Sequence, residues 1–386
     1  MKILRISYEN INVFSKGFTV DFTAFDRITD DAQVHFISKS ISTQKVIGFA
    51  GINASGKTTA LKLIVIAMEI VAKQRNLNEV LETCHIIKDD SKMVVDFIKD
   101  DMIYRLVSIF GISESKTDIQ NSISCYFKEE MIYRKTCSSV KNKNQIFDFI
   151  DKPYIFRSAL NDEIMKYLDN KQSMIRPITN GAKIYIYDSV FRTNFNILTI
   201  SKNIQMSFLN LFDNNIESLQ EADKGYILKF KNDSHKYKFE SFVEAADVVS
   251  SGTIKGFNVM SHISEVIKHG GYLVIDEIEN HLNKKLVQMI IRLFTDNEIN
   301  KKGACLLFTT HYTEIIDTIE RKDNIYVLRK DEDMSATICR YSDYVKRNDI
   351  KKSDVLLSNF IEGSAPSYDL IMKVREYLRY DIVTRF

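Results

Sequence analysis

The stretch Gly51-Ile52-Asn53-Ala54-Ser55-Gly56-Lys57-Thr58-Thr59 has the residue types and the spacing, G-x4-G-K-T, that hold a polyphosphate. In such a loop bare backbone N–H groups wrap phosphate oxygens, Lys57 reaches the outer phosphates, and the Thr58 hydroxyl ligates Mg²⁺. The strand before it is expected over residues 45–50, a short apolar run. The helix after it keeps Ala60, Leu61, Leu63, Ile64, Ile66, Ala67 and Ile70 on two apolar faces with no Gly or Pro to break it. Its N-terminus adds a partial positive charge beneath the phosphates.

Three further stretches carry chemistry. Gly271-Tyr272-Leu273-Val274-Ile275-Asp276-Glu277 is an apolar strand ending in two carboxylates. Asp276 is expected to hold Mg²⁺ opposite Thr58, and Glu277 to polarise an attacking water as general base. Cys305-Leu306-Leu307-Phe308-Thr309-Thr310-His311 is another apolar strand, ending in a histidine. A β-α-β unit would bring His311 to the sheet edge that holds Asp276 and Glu277, within reach of a γ-phosphate or its attacking water. Ser250-Ser251-Gly252 opens a helical run over residues 257–267, and a serine turn at a helix start is an anion site by physics alone.

The remaining elements must position these residues. Residues 2–8 and 18–22 read as a strand pair opening the domain. Residues 93–98 with 102–110, and 122–127 with 131–135, read as hairpins whose turns are the charged triplets at 99–101 and 128–130. From 140 to 223 the pattern changes to longer helical candidates, notably 162–169 and 195–222. There Phe208, Leu209, Leu211, Phe212, Ile216 and Leu219 fall at helical spacing and read as core. Residues 226–231 and 236–239 make another hairpin around Asn232-Asp233-Ser234.

Composition bounds the partners. Lys and Arg number 53 against 51 Asp and Glu, a formal charge of +2, too balanced to argue for a polyanion partner. The five cysteines are scattered, odd in number and lack any C-x-x-C pair, which suits a reducing cytosol. Neither a signal peptide nor a membrane span is legible, so a cytoplasmic protein is expected. The basic run Lys346-Arg347-Asn348-Asp349-Ile350-Lys351-Lys352 is interrupted by aspartate and lacks an aromatic ladder, and reads as a solvated face.

A glycine loop, a serine turn and two strand ends in this order resemble the ABC-type ATPase head, most closely its SMC/OLD-like branch. The branch's Walker A, G-x-N-x-S-G-K-[ST], is matched from Gly51 to Thr58, and its Walker B, four apolar residues then D-E, from Tyr272 to Glu277. Ile278-Glu279-Asn280-His281-Leu282 resembles the D-loop, Ser250-Ser251-Gly252 a degenerate signature motif, and His311 the switch histidine. The signature departs from L-S-G-G-Q, with Val249, Ser251 and Thr253 at three of its places, which disfavours a transport ATPase. Gln120 and Gln145 are both possible for the family's Q-loop glutamine. The resemblance implies ATP and Mg²⁺ as ligands, with Asn53, Ala54, Ser55, Gly56, Lys57, Thr58 and Thr59 around the phosphates. It also implies a homo-oligomer whose ATP is sandwiched between two copies, Ser250, Ser251 and Gly252 of one facing the loop of the other.

The C-terminal stretch, with Phe308 to Ile316, Arg321 to Tyr326, Tyr341-Ser342-Asp343 and Phe360-Ile361-Glu362-Gly363, is similar to the tail of bacterial abortive-infection ATPases of the RloA, AbiL and AriA types. That resemblance implies antiphage defence, a phage trigger protein, and a separate effector, often a TOPRIM-like nuclease. Glu362-Gly363 is followed by no D-x-D strand end, so cleavage is expected of a partner and not of this chain. The expected architecture is α/β, an ABC-type head with N-terminal antiparallel hairpins and a helical insertion. Its parts are an N-terminal lobe at 1–139, the insertion at 140–223, a C-terminal lobe at 224–345 and a helical tail at 346–386. The competing function is an SMC-like ATPase working directly on DNA; the insertion is too short for the long coiled coils such proteins carry.

Overall fold

The computed structural model describes all residues except 74, 82–85, 118–119, 151, 162, 164–166, 183, 192–204, 223, 241–243, 245–247, 281, 332–334, 348, 366–367 and 385–386. It is a mixed α/β fold built on two six-stranded sheets. The central sheet runs, in spatial order, Ile186–Asp188, Tyr272–Ile275, Cys305–Thr309, Val46–Ala50, Ile325–Lys330 and Ala336–Arg340. The first five strands are parallel and the last turns back antiparallel. Val46–Ala50, Tyr272–Ile275 and Cys305–Thr309 are buried at every residue, as strands covered on both faces must be.

One cover is the helix Lys57–Met68, whose residues from Ala60 onward are nearly all buried. It lies between the central sheet and the second sheet, so that Leu61, Ile64 and Ile66 share a core with Phe49 and Leu307 on one side and Ile6 and Phe97 on the other. This is why its sequence is apolar on two faces. The opposite face of the central sheet is covered by Ser251–His269 and Lys284–Thr295, through Val259, Ile263, Val287, Ile290 and Phe294.

The second sheet is antiparallel, in the order Phe18–Asp21, Lys2–Ile11, Ile87–Lys99, Met102–Thr117, Gln120–Thr136, Ile155–Phe156. The triplet Lys99-Asp100-Asp101 is the expected turn, with Asp100 and Asp101 in the left-handed region at φ 49° and 59°. Lys128-Glu129-Glu130 is not a turn. It lies inside one continuous strand, Gln120–Thr136, paired along its length with Met102–Thr117 across a bulge at Ile109/Phe110. Aspartate tolerates the left-handed backbone of a tight turn and glutamate does so poorly, so triplets of like charge have different fates. Glu130 is fully buried and accepts hydrogen bonds from Arg157 Nη1 at 2.7 Å, Ser173 Oγ at 2.6 Å and the Met174 N–H at 2.8 Å.

The helix expected over 195–222 is corrected as well. Residues 195–204 lie outside the described residues, Met206–Phe212 is a short helix, and Ile216–Glu221 is a strand paired with Tyr226–Phe230. The break is local: the Asp213 carboxylate accepts from the Asn215 N–H at 2.9 Å, an Asx turn that competes with helix. The candidate at 162–169 falls partly on undescribed residues. The segment 140–223 thus also delivers strands, Ile155–Phe156 to the antiparallel sheet and Ile186–Asp188 to the central one. The hairpin around Asn232-Asp233-Ser234 forms as expected and completes a three-stranded sheet. That small sheet and the helix Met206–Phe212 have their own core, into which Val249, Ile254 and Phe257 of the serine turn and its helix are packed.

Among the described residues no helix is long and apolar enough to cross a membrane. Lys346 donates to the Ser342 carbonyl and Arg347 pairs with Asp349, so these two cations of the basic run are engaged locally. Arg157→Ala would leave Glu130 buried without its cation and is expected to cost about 3–5 kcal/mol in urea unfolding.

Candidate functional site

The central sheet's strand order sets the site. Cys305–Thr309 inserts between the loop strand Val46–Ala50 and the carboxylate strand Tyr272–Ile275, and all three run parallel. Their C-terminal ends therefore open onto one edge, where α/β sheets place their ligands. At that edge the glycine loop closes under strain that only certain residues bear. Gly51 and Gly56 have φ of 153° and 96°, and Ala54 sits at 59°. A Cβ on Gly51 would meet the Leu328 carbonyl oxygen at 2.2 Å, so glycine is obligatory there.

Lys57 starts the helix and is buried, its Nζ donating to the Gly51 and Ile52 carbonyls at 2.8 and 2.9 Å. Burial lowers its pKa, opposed by the charges of Asp276, Glu277 and Glu279. Asp276 is the junction of the site. One carboxylate oxygen accepts from Thr58 Oγ1 at 2.7 Å, the other from Thr309 Oγ1 at 2.6 Å, and its N–H donates to Ser189 Oγ at 2.8 Å. Thr309 also accepts from the Glu277 N–H at 2.7 Å, and so holds both carboxylate residues from the intervening strand.

Glu277 has φ 48°, an uncommon conformation for a non-glycine residue. Its side chain is 41% exposed and stands between Asn280 Nδ2 at 2.5 Å and His311 Nε2 at 3.2 Å. The Asn280 hydrogen bond, followed by the His311 contact and the charges of His311 and Lys57, holds the carboxyl below its usual pKa against some burial. The His311 N–H in turn donates to Glu279 Oε1 at 2.7 Å. His281 lies outside the described residues.

A cleft of about 960 Å³ runs over these groups, lined by Asn53, Ala54, Gly56, Lys57, Thr58, Thr59, Glu277 and His311. Asn12 and Val13 form another part of its wall, with Lys330, Ser335 and Ala336. Ser55 is buried beneath the loop, its Oγ without a hydrogen-bond partner. The fit to a polyphosphate rests on the positive-φ loop and the buried Lys57. The fit to a hard cation rests on Thr58 and Asp276, an oxygen-only pair. Among the described residues no group of three or more His, Cys, Asp or Glu side chains is placed to hold a metal ion, so such a cation needs phosphate oxygens to complete its shell.

Ser250, Ser251 and Gly252 do not line the cleft. The helix begins at Ser251, earlier than expected, and Ser250 caps it, its Oγ accepting from the Thr253 N–H at 3.2 Å. Gln145 is bound to the Lys141 N–H through its own amide oxygen and is absent from the cleft wall, and the side chain of Gln120 lies outside the described ones. Sequence reasoning missed Thr309, Asn280 and Ser189. Thr309 sits two residues before His311, and the hydroxyl pair Thr309-Thr310 closing an apolar run was the available signal.

A family model described as "AAA domain, putative AbiEii toxin, Type IV TA system" matches residues 46–317. No curated protein matches the chain.

Two outcomes follow from the hydrogen bonds at Asp276 and Glu277. Thr309→Val should lower ATP turnover about 10–100-fold with nucleotide affinity nearly unchanged, read from kcat and from direct binding of a nucleotide analogue. Asn280→Ala removes a donor that favours the Glu277 carboxylate, so its pKa should rise and the acid limb of kcat/KM should move to higher pH.

Proposed function

The chain belongs to this AAA-domain family of P-loop ATPases, and from that premise we propose that it is the ATP-hydrolysing sensor or scaffold subunit of a bacterial antiphage system of the RloA, AbiL and AriA type. In this reading it controls a separate toxic effector, a nuclease. The observation that supports ATP turnover is the convergence of Lys57, Thr58, Glu277 and His311 on one cleft, with Asp276 bound to Thr58 beside it. The family's description as a putative AbiEii toxin of a type IV TA system supports the defence setting.

A magnesium ion held by Thr58 and Asp276 would neutralise charge on the phosphates. The loop N–H groups and Lys57 bind and orient the triphosphate. Glu277 accepts the proton of the water that attacks the γ-phosphorus, and His311 fixes the Glu277 carboxylate and the water between them. The phosphoryl group passes to water and ADP leaves. Ser250 and the backbone of Gly252 from a second copy cap the γ-phosphate, so binding closes the cleft of one copy against the other and hydrolysis opens it.

Glu277→Gln should cut turnover by about 10²–10⁴-fold while ATP still binds, and Lys57→Ala should lose binding. Turnover of Glu277→Gln at the wild-type rate would remove the general-base role. For the defence role, cells carrying the chain with its effector should lose phage resistance on either substitution. Copurification with DNA and no protein partner would instead support the SMC-like reading.

A further inference from the structure

The C-terminal helix Tyr368–Thr384 presents an apolar stripe that none of the described residues of its own chain covers. Leu370, Ile371, Val374, Tyr377 and Leu378 fall at i, i+1, i+4, i+7 and i+8, one face of a helix, and each is 51–66% exposed. A stripe of this kind is ordinarily buried, because a lone amphipathic helix is marginal in water. Just before it, Leu357 and Phe360 are 62% and 66% exposed on the body of the protein. We propose that this helix is a dimerisation arm whose apolar stripe packs on the arm and on the Leu357/Phe360 patch of a second copy.

Three observations select a second copy as the occupant. The chain supplies both the stripe and the patch, as an isologous two-fold contact requires. Together the seven side chains expose on the order of 800 Å², the share that one partner buries in a standard interface. The helix sequence carries three basic residues (Lys373, Arg375, Arg379) and three acidic ones (Asp369, Glu376, Asp381), so two arms meet without net repulsion, and the arm lacks the basic excess that an anionic membrane surface would select. The arm also starts in the right place. Gly363 lies against Arg329, whose guanidinium donates to the Glu362 carbonyl at 3.2 Å, and the next residue, Lys330, lines the nucleotide cleft. The helix Tyr368–Thr384, 17 residues, is about 25 Å long.

The arm contact rests on the two-copy reading for the identity of its partner, but it needs no nucleotide. It holds two copies together between turnovers, which makes closure of the cleft a step within an existing pair.

The test is sedimentation velocity of the full chain without nucleotide, at tens of micromolar, on wild type, on Leu370→Glu/Leu378→Glu and on Lys57→Ala. Wild type and Lys57→Ala should sediment as an oligomer, and the double variant as a monomer with its dissociation constant raised at least about 100-fold. The substituted positions are exposed, and a fluorescent ATP analogue should bind the double variant as it binds wild type, which reports that it is folded. A monomeric wild type overturns the proposal, as does a double variant that associates like wild type. Cosedimentation of monomeric wild type with anionic vesicles would also overturn it, in favour of a lipid surface. Loss of association in Lys57→Ala alone would place the contact at the cleft and not at the arm. An active ATPase with a monomeric wild type would sink the arm and leave the nucleotide chemistry standing.

Discussion

The two hydroxyl donors on the Asp276 carboxylate hold the site together. Thr58 comes from the helix after the glycine loop and Thr309 from the strand between loop and carboxylates, so one side chain ties three consecutive strands of the central sheet. A charged acceptor makes each of these bonds stronger than a neutral one, and two are needed because the carboxylate is only half-buried at the sheet edge. The tie also fixes its neighbour: Thr309 receives the Glu277 N–H, and the backbone there takes up the left-handed conformation that swings the next carboxylate toward His311.

This junction is only as rigid as the layers behind it. The loop helix is packed on both faces, by the central sheet and by the antiparallel sheet, so Lys57 and Thr58 cannot shift without disturbing a continuous core. On the other face, the helix that follows Ser250 is held by the central sheet and by the three-stranded sheet with its own small core. Gly256 records how closely the short helix Met206–Phe212 packs on it: a Cβ there would lie 2.3–2.5 Å from the Phe212 ring. The serine turn is thus carried by a different layer from the glycine loop.

Much of the fold was legible because an apolar run of four to six residues that ends in a charged or hydroxyl-bearing motif suits a buried strand reaching a sheet edge and little else. The loop, the carboxylate strand and the histidine strand each combined a buried run with a terminal motif, and the order of motifs fitted parallel strands joined by helices. What the sequence hid follows from context. Lys128-Glu129-Glu130 looks like Lys99-Asp100-Asp101 in composition, and only the length of the partner strand and the buried Arg157 keep it extended. Ile216 and Leu219 fit a helical spacing as well as a strand, and the Asx turn at Asp213 decides. The hydroxyls at Thr309 and Thr310 were in view, but the role of Thr309 was hidden because it needs two strands that are remote in sequence, and pairwise geometry of that kind leaves no periodic trace.

The state of Glu277 bears on what the proposed second copy would do. In one chain the carboxylate is open to water and held below its usual pKa by Asn280 and His311, which makes it a well-positioned but weak base. In the proposed two-copy arrangement, the serine turn of a second copy would cover the cleft and remove that water. Desolvation would then raise the pKa of Glu277 and strengthen every interaction with the phosphates around it. Under that proposal the surface that completes phosphate binding would also be the surface that activates the base, and the arrangement of neighbouring copies would be the variable to which hydrolysis responds.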